Sequence, residues 1–261
     1  MLTLYEHPLS AYAMKVKMAL QEKGLPFQAL LPEGLANGTA GGAFVDASPR
    51  AEVPALVDGE TKIFDSTIIL EYLDEKWPVP ALLPGTPAER ARVRMLEDVM
   101  DSLYEPNNWG FMEVTRFKRA SGPLGDKLER FARDSIAQLQ RWLEGQLGAR
   151  PWFNGDTFGW GDIACAPYVN RSAAYDITPP AGSRLALWLA RVNERPAVAR
   201  VIEQMHDAIA KLPDFAALLA QGKVKRQYRD HRLEWMIAAG GLSVVQEGLD
   251  RATIRFSRLP G

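Results

Sequence analysis

The chain of 261 residues is long enough for one large domain or two modest ones, and its 47% apolar and 24% charged residues exclude a disordered or fibrous protein. Its 31 basic and 32 acidic residues nearly cancel, which removes the electrostatic case for nucleic acid or an anionic membrane surface. No apolar run approaches a membrane span, the first five residues read as a strand rather than a signal peptide, and the lone Cys165 with three histidines argues against a disulfide or a structural zinc site; the expectation is a soluble, cytoplasmic, globular protein.

Leu2 to Tyr5 reads as a short strand, punctuated by His7-Pro8-Leu9. Ala11 to Lys23 carries helix formers with Val16, Ala19 and Leu20 as apolar positions, and Gly24 is a stop signal. Phe27 to Leu31 is a second strand, and the glycine-rich stretch from Gly34 to Gly42 is a loop leading to a short helical piece near Phe44. Val53 to Val57 and Thr61 to Phe64 flank Asp58-Gly59, a hairpin signal, and Ser66 is placed to cap a helix running to about Lys76. That order predicts a small mixed sheet whose first half is a parallel crossover and whose second half is a hairpin.

Four prolines between Pro78 and Pro87 mark a linker, after which strand signals vanish. Helical periodicity then covers Ala91 to about Lys118, Leu124 to Leu147, Asp162 to Ala174, Arg184 to Val192 and Pro196 to Leu212. The expected division is residues 1–77, an all-helical part over 88–222, and an extension over 223–261. Within the extension, Arg226 to Ile237 mixes basic, acidic and aromatic residues; it reads as a segment docked on the helical part or closing over a pocket rather than as a nucleic-acid binder.

Three motifs occur in order: Ser10 to Gly24; Ser48-Pro49-Arg50-Ala51-Glu52-Val53-Pro54-Ala55-Leu56-Val57 followed by Asp65-Ser66; and Asn154-Gly155-Asp156-Thr157-Phe158-Gly159-Trp160-Gly161-Asp162. With this spacing across a proline-rich linker, residues 2–215 resemble the cytosolic glutathione transferase superfamily, of the bacterial serine type. The resemblance implies a thioredoxin-like α/β N-terminal domain, an all-α C-terminal domain, glutathione as co-substrate and a homodimer. It also implies that Val53 and Pro54, through a cis bond, present backbone to the cysteinyl unit of glutathione. Ser66 then holds the γ-glutamyl carboxylate at a helix N-terminus and Asp65, where most members have Glu, pairs with the ammonium. Arg50 or Glu52 reaches toward the glycyl end. Ser66 is in any case a plain helix cap, and Gly159 to Asp162 reads as a folding motif in which glycine replaces the usual cap hydroxyl.

Activation of glutathione requires a thiolate, which a hydroxyl donor and the N-terminus of the first helix would stabilise. The resemblance puts that role on Ser10, which is equally a helix cap, with Tyr12 as the rival; Tyr5 should still lie within the strand, and His7 could contribute but, as a lone histidine before a proline, reads more readily as a loop residue. A cysteine there would have implied thiol reductase chemistry. Cys165, flanked by alanines, reads as a packed core thiol. Leu9, Tyr104, Asn108, Trp109, Met112, Glu113 and Tyr168 are the expected lining of a pocket for a hydrophobic, aromatic electrophile, although the spacing of those between 104 and 117 equally describes core packing for several of them, with Pro106-Asn107-Asn108 as a kink facing the pocket. Trp109-Gly110, Tyr168 and Arg171 are similar to members that cleave aryl ethers. A glutathione-transferase-like interaction module without catalysis is the other reading of the same motifs.

Overall fold

The computed structural model describes residues 1–224 and 230–254. The first strand, β1 (Leu2–Tyr5), pairs in parallel with β2 (Phe27–Leu30) and antiparallel with β3 (Ala55–Asp58), which pairs antiparallel with β4 (Thr61–Phe64). The sheet order is β2-β1-β3-β4. Helix α1 (Ala11–Glu22) makes the crossover between β1 and β2, and a short α2 (Ala43–Ala47) precedes β3. The hairpin loop is Gly59-Glu60, one residue later than the Asp58-Gly59 signal suggests. Asp58 stays in the ladder opposite Thr61, and Gly59 supplies the left-handed φ of 62°.

The cap of α3 (Ser66–Lys76) is a second correction. Asp65, not Ser66, is the N-cap: its Oδ1 accepts from the Thr67 and Ile68 amides, and Ser66 is the buried first helical residue. The proline-rich stretch to residue 86 is fastened in place. Lys23 Nζ donates to the carbonyls of Trp77 (2.6 Å) and Pro80 (2.8 Å), and Asp74 accepts from the Leu82 amide.

The helices that follow are α4 (Pro87–Val99), α5 (Glu105–Thr115), α6 (Gly122–Leu147), α7 (Trp160–Ala173), α8 (Arg184–Asn193), α9 (Pro196–Ala210), α10 (Phe215–Ala220), α11 (Asp230–Ala238) and α12 (Leu242–Asp250). The helix expected over 91–118 is broken. A π turn, Met100–Tyr104, separates α4 from α5, immediately before Pro106, whose ring carries no N–H for an α-type bond. The described tail forms α11 and α12, and Trp235 of α11 sits against α5, donating Nε1–H to Asn107 Oδ1 at 2.8 Å. A Cβ on Gly110 would meet the Trp235 ring at 2.5 Å, so glycine is needed for this approach. Arg226 to Arg229 lie outside the described residues.

Helix α1 is the centre of the assembly, buried between α3 on one side and α7 and α9 on the other. Its fully buried Lys15 reaches Glu97 (2.7 Å) and Asp101 (2.7 Å) on α4 and the π turn. Glu97 also accepts from Trp160 Nε1 (2.6 Å) and Thr67 Oγ1 (3.0 Å), while Asp101 accepts from the Tyr168 hydroxyl. Four helices are tied by one polar cluster.

In the Gly159 motif the cap hydroxyl is missing because there is no room for it. A Cβ there would lie 2.1 Å from Asn154 Nδ2 and 2.4 Å from the Leu82 carbonyl oxygen. Asn154 takes over the bridging, donating to that carbonyl and accepting from the Gly161 amide. The buried Asp162 carboxylate accepts from the amides of Gly159, Phe153 and Asn154 and from Trp188 Nε1, and burial pushes its pKa up to about 6 against those bonds.

Candidate functional site

Two cavities meet in the cleft between the sheet and the helices. The first, about 210 Å³, is lined by Ser48, Arg50, Pro54, Phe64, Asp65 and Ser66 together with Asp101 and Ser102 of the π turn. The second, about 330 Å³, is lined from the strand side by His7, Leu9, Ser10, Leu35 and Ala36 and from the helical side by Asn108, Trp109, Met112, Phe117, Tyr168 and Arg171. Tyr12, Glu52 and Val53 line both and mark their junction.

The first cavity is built from the loop before β3 and the start of α3. The Val53–Pro54 peptide is cis. Ser48 Oγ pins the loop by accepting from the Glu52 amide (3.2 Å) and donating to the Glu52 carbonyl (2.8 Å). The exposed Arg50 guanidinium lies 5.5 Å from the centre of the Phe64 ring. Asp65, with φ at 79°, turns the chain so that β4 runs into α3, whose first residue, Ser66, lines the cavity. Ser48, Phe64, Asp101 and Ser102 were missed in the sequence. The last two come from a helix more than thirty residues beyond the motif, and no local pattern joins them to it.

The two candidate hydroxyls, Tyr12 at the junction and Ser10 in the second cavity, are in different states. Ser10 caps α1, its Oγ accepting from the Ala13 amide at 3.2 Å, so its proton remains to be donated. The Tyr12 hydroxyl donates to the Asp101 carbonyl at 3.1 Å, and its ring stands edge-on to Tyr168. Tyr5 lies in β1. His7 is more than a loop residue: Nδ1 accepts from the Leu9 amide (3.0 Å), and burial, aided by the Arg171 charge, lowers its pKa to about 4. The imidazole is neutral at pH 7.

On the helical side, α5 presents Glu105, Asn108, Trp109 and Met112 to the cavity, a helical i, i+3, i+4, i+7 stripe. Asn108 is fixed by donating Nδ2–H to the Tyr168 carbonyl at 2.9 Å. Phe117 and Phe215 extend the aromatic wall, their rings 4.7 Å apart. Tyr104 and Glu113 are not in the lining. Tyr104 belongs to the π turn and points into the core, bonded to Ser172 Oγ (2.9 Å), with burial raising its pKa to about 12. Glu113 is fully buried on α5, off the cavity stripe. Cys165 is likewise fully buried on α7, and burial pushes its thiol well above the usual range.

Among the described residues no helix is long and apolar enough to cross a membrane, and no group of three or more His, Cys, Asp or Glu side chains could hold a metal ion. The arrangement is a polar pocket at the start of α3 that meets an aromatic pocket lined by the Ser10 hydroxyl.

Residues 4–81 match the family model for the glutathione S-transferase N-terminal domain, and residues 88–191 match that for its C-terminal domain. A probable glutathione S-transferase of Nicotiana tabacum is 30% identical over 227 residues, covering 84% of this chain and 92% of the relative. A stringent starvation protein A homolog of Coxiella burnetii is 36% identical over 170 residues, covering 65% of this chain and 75% of the relative. Among solved structures, a glutathione S-transferase of Rhodospirillum rubrum superposes with a TM-score of 0.66 at 30% identity, covering 77% of this chain and 91% of that one.

Proposed function

The chain belongs to the glutathione S-transferase family, with glutathione as its co-substrate, and from that premise we propose that it joins the glutathione sulfur to a hydrophobic, aromatic electrophile or uses it to displace an aryl ether. The observation that carries this reading is the meeting of a polar and an aromatic cavity at Tyr12, Glu52 and Val53, with Ser10 lining the aromatic one. Glutathione lies in the polar arm. Its γ-glutamyl carboxylate takes the Ser66 hydroxyl and amide at the positive end of α3. The Asp65 oxygen not engaged in capping takes the ammonium, the Val53 backbone pairs with the cysteinyl unit, and Arg50 faces the glycyl carboxylate.

The sulfur then reaches the junction, where the Ser10 hydroxyl donates a hydrogen bond to the thiolate and so favours the charged form. Ser10 is preferred to Tyr12 because the single Tyr12 proton is already given to the Asp101 carbonyl. The N-terminus of α1 adds positive potential at the same place. The thiolate attacks an electrophilic carbon held against Leu9, Trp109 and Met112; the C–S bond forms as a halide or aryloxide departs with its electron pair, and the thiol proton goes to solvent. The same reading makes the protein a cytoplasmic homodimer, supported by the exposed apolar side chains of Ile68, Met95 and Leu103 on α3, α4 and the π turn.

A catalytically silent interaction module is the second reading, favoured by the Coxiella burnetii relative, whose name carries no transferase activity. Isothermal titration of glutathione into the wild type and Ser66→Ala separates the two. The transferase reading expects a Kd between roughly 1 μM and 1 mM, weakened about tenfold by the substitution. Absence of wild-type binding contradicts it and leaves the interaction module.

A further inference from the structure

Four basic side chains are buried among the described residues: Lys15, Lys17, Lys23 and Arg171. Three of them face a carboxylate, Lys15 on Glu97 at 2.7 Å, Lys17 on Glu6 at 3.0 Å and Lys23 on Asp74 at 2.8 Å. Arg171 is 6% exposed and has none among the described residues. Its Nη2 donates to the Leu9 carbonyl at 2.6 Å, while Nε to Met205 Sδ and Nη1 to the Tyr175 hydroxyl are both at 3.4 Å, the latter at the outer limit of hydrogen bonding. A guanidinium has five N–H donors in a planar fork suited to a carboxylate. Burying such a charge without an anion is strongly unfavourable. Glu52 and Glu105 line the same cavity and have contacts of their own, no ion pair joins Arg171 to a carboxylate among the described residues, and the neighbouring His7 is neutral.

The other buried cations are satisfied by the protein; this one lines the second cavity. We propose that Arg171 is the receptor for a carboxylate on the second substrate, so that the electrophile class is an aromatic acid. Its ring packs against Trp109, Met112 and Phe117, and its carboxylate takes the guanidinium. The inference rests on reading this cavity as the electrophile site. The bond from Arg171 to the Leu9 carbonyl is a separate, positioning contact, since it holds the residue before Ser10.

The test uses a matched pair of unreactive probes, a nitrobenzoate and its methyl ester, titrated by quenching of tryptophan fluorescence, since Trp109 forms part of the cavity wall. The wild type should bind the acid about tenfold or more tightly than the ester, the increment of one charge-assisted contact. Arg171→Gln should bring the acid-to-ester ratio close to one, and Arg171→Lys, which keeps the charge but loses the fork, should leave an intermediate ratio. A wild-type ratio near one, or a ratio unchanged in Arg171→Gln, would overturn the proposal. If Arg171→Gln fails to fold by circular dichroism, the wild-type and Arg171→Lys ratios decide it. Turnover of the chloro-substituted pair with glutathione is measured separately. Arg171-dependent acid binding without turnover would keep the anion site and overturn the transferase reading of the cavity.

Discussion

Ser10 and Tyr12 are separated by one residue, yet their hydroxyls have different work. Both were legible as candidates, because a serine or tyrosine near the end of the first strand is a feature of the family pattern. What separates them, the Tyr12 bond to the Asp101 carbonyl, spans 89 positions and has no local signature. His7 was underread for the same reason: its burial and the nearby Arg171 charge come from distant segments. The His7 pKa of about 4, against an ordinary 6.5, means that the folded state binds the proton less well than the unfolded one. His7 therefore stabilises the fold above pH 6.5, and that contribution, at most about 3 kcal/mol, is lost as the pH falls through 4. His7→Asn keeps an acceptor for the Leu9 amide and removes the titration. Thermal denaturation across this range should show the wild type losing stability on acidification relative to the variant; comparing the two cancels the opposite trend expected from Asp162, whose raised pKa disfavours the fold as pH rises through about 6.

At the level of elements, local signals were sound where local chemistry decides. Ser10 starts α1 and Gly24, with φ at 64°, ends it; the Leu25 amide returns to the Leu20 carbonyl. The π turn was not legible, because apolar spacing continues through it and only the missing N–H of Pro106 hints at a break. That omission explains the placing of Tyr104 in the pocket: the turn changes the phase between α4 and α5, so Tyr104 faces the core while Asn108 and Trp109 face the cavity. Helix α5 is in turn held by α11 through Gly110 and Trp235. Gly110→Ala would put a Cβ within 2.5 Å of the indole. The expected result is a loss of about 1–3 kcal/mol in thermal denaturation.

Across the whole molecule, the cleft exists because α1 packs against α3 on the sheet side and against α7 and α9 on the helical side. Lys15, Glu97 and Asp101 join α1 to the helices that complete both cavities. The fold class was readable from the order of elements and the three motifs. The cavities were readable only in part, since Asp101, Ser102 and Phe215 reach them through tertiary packing. The proposal above all is that Ser10, lining the aromatic cavity beside its junction with the polar one, stabilises the glutathione thiolate. Ultraviolet titration of thiolate absorbance in the glutathione complex tests it most directly, comparing wild type, Ser10→Ala and Tyr12→Phe. The bound thiol pKa should lie well below the free value of about 8.5 in the wild type, rise by about 1–2 in Ser10→Ala and change little in Tyr12→Phe. An upward shift in Tyr12→Phe with none in Ser10→Ala would contradict it.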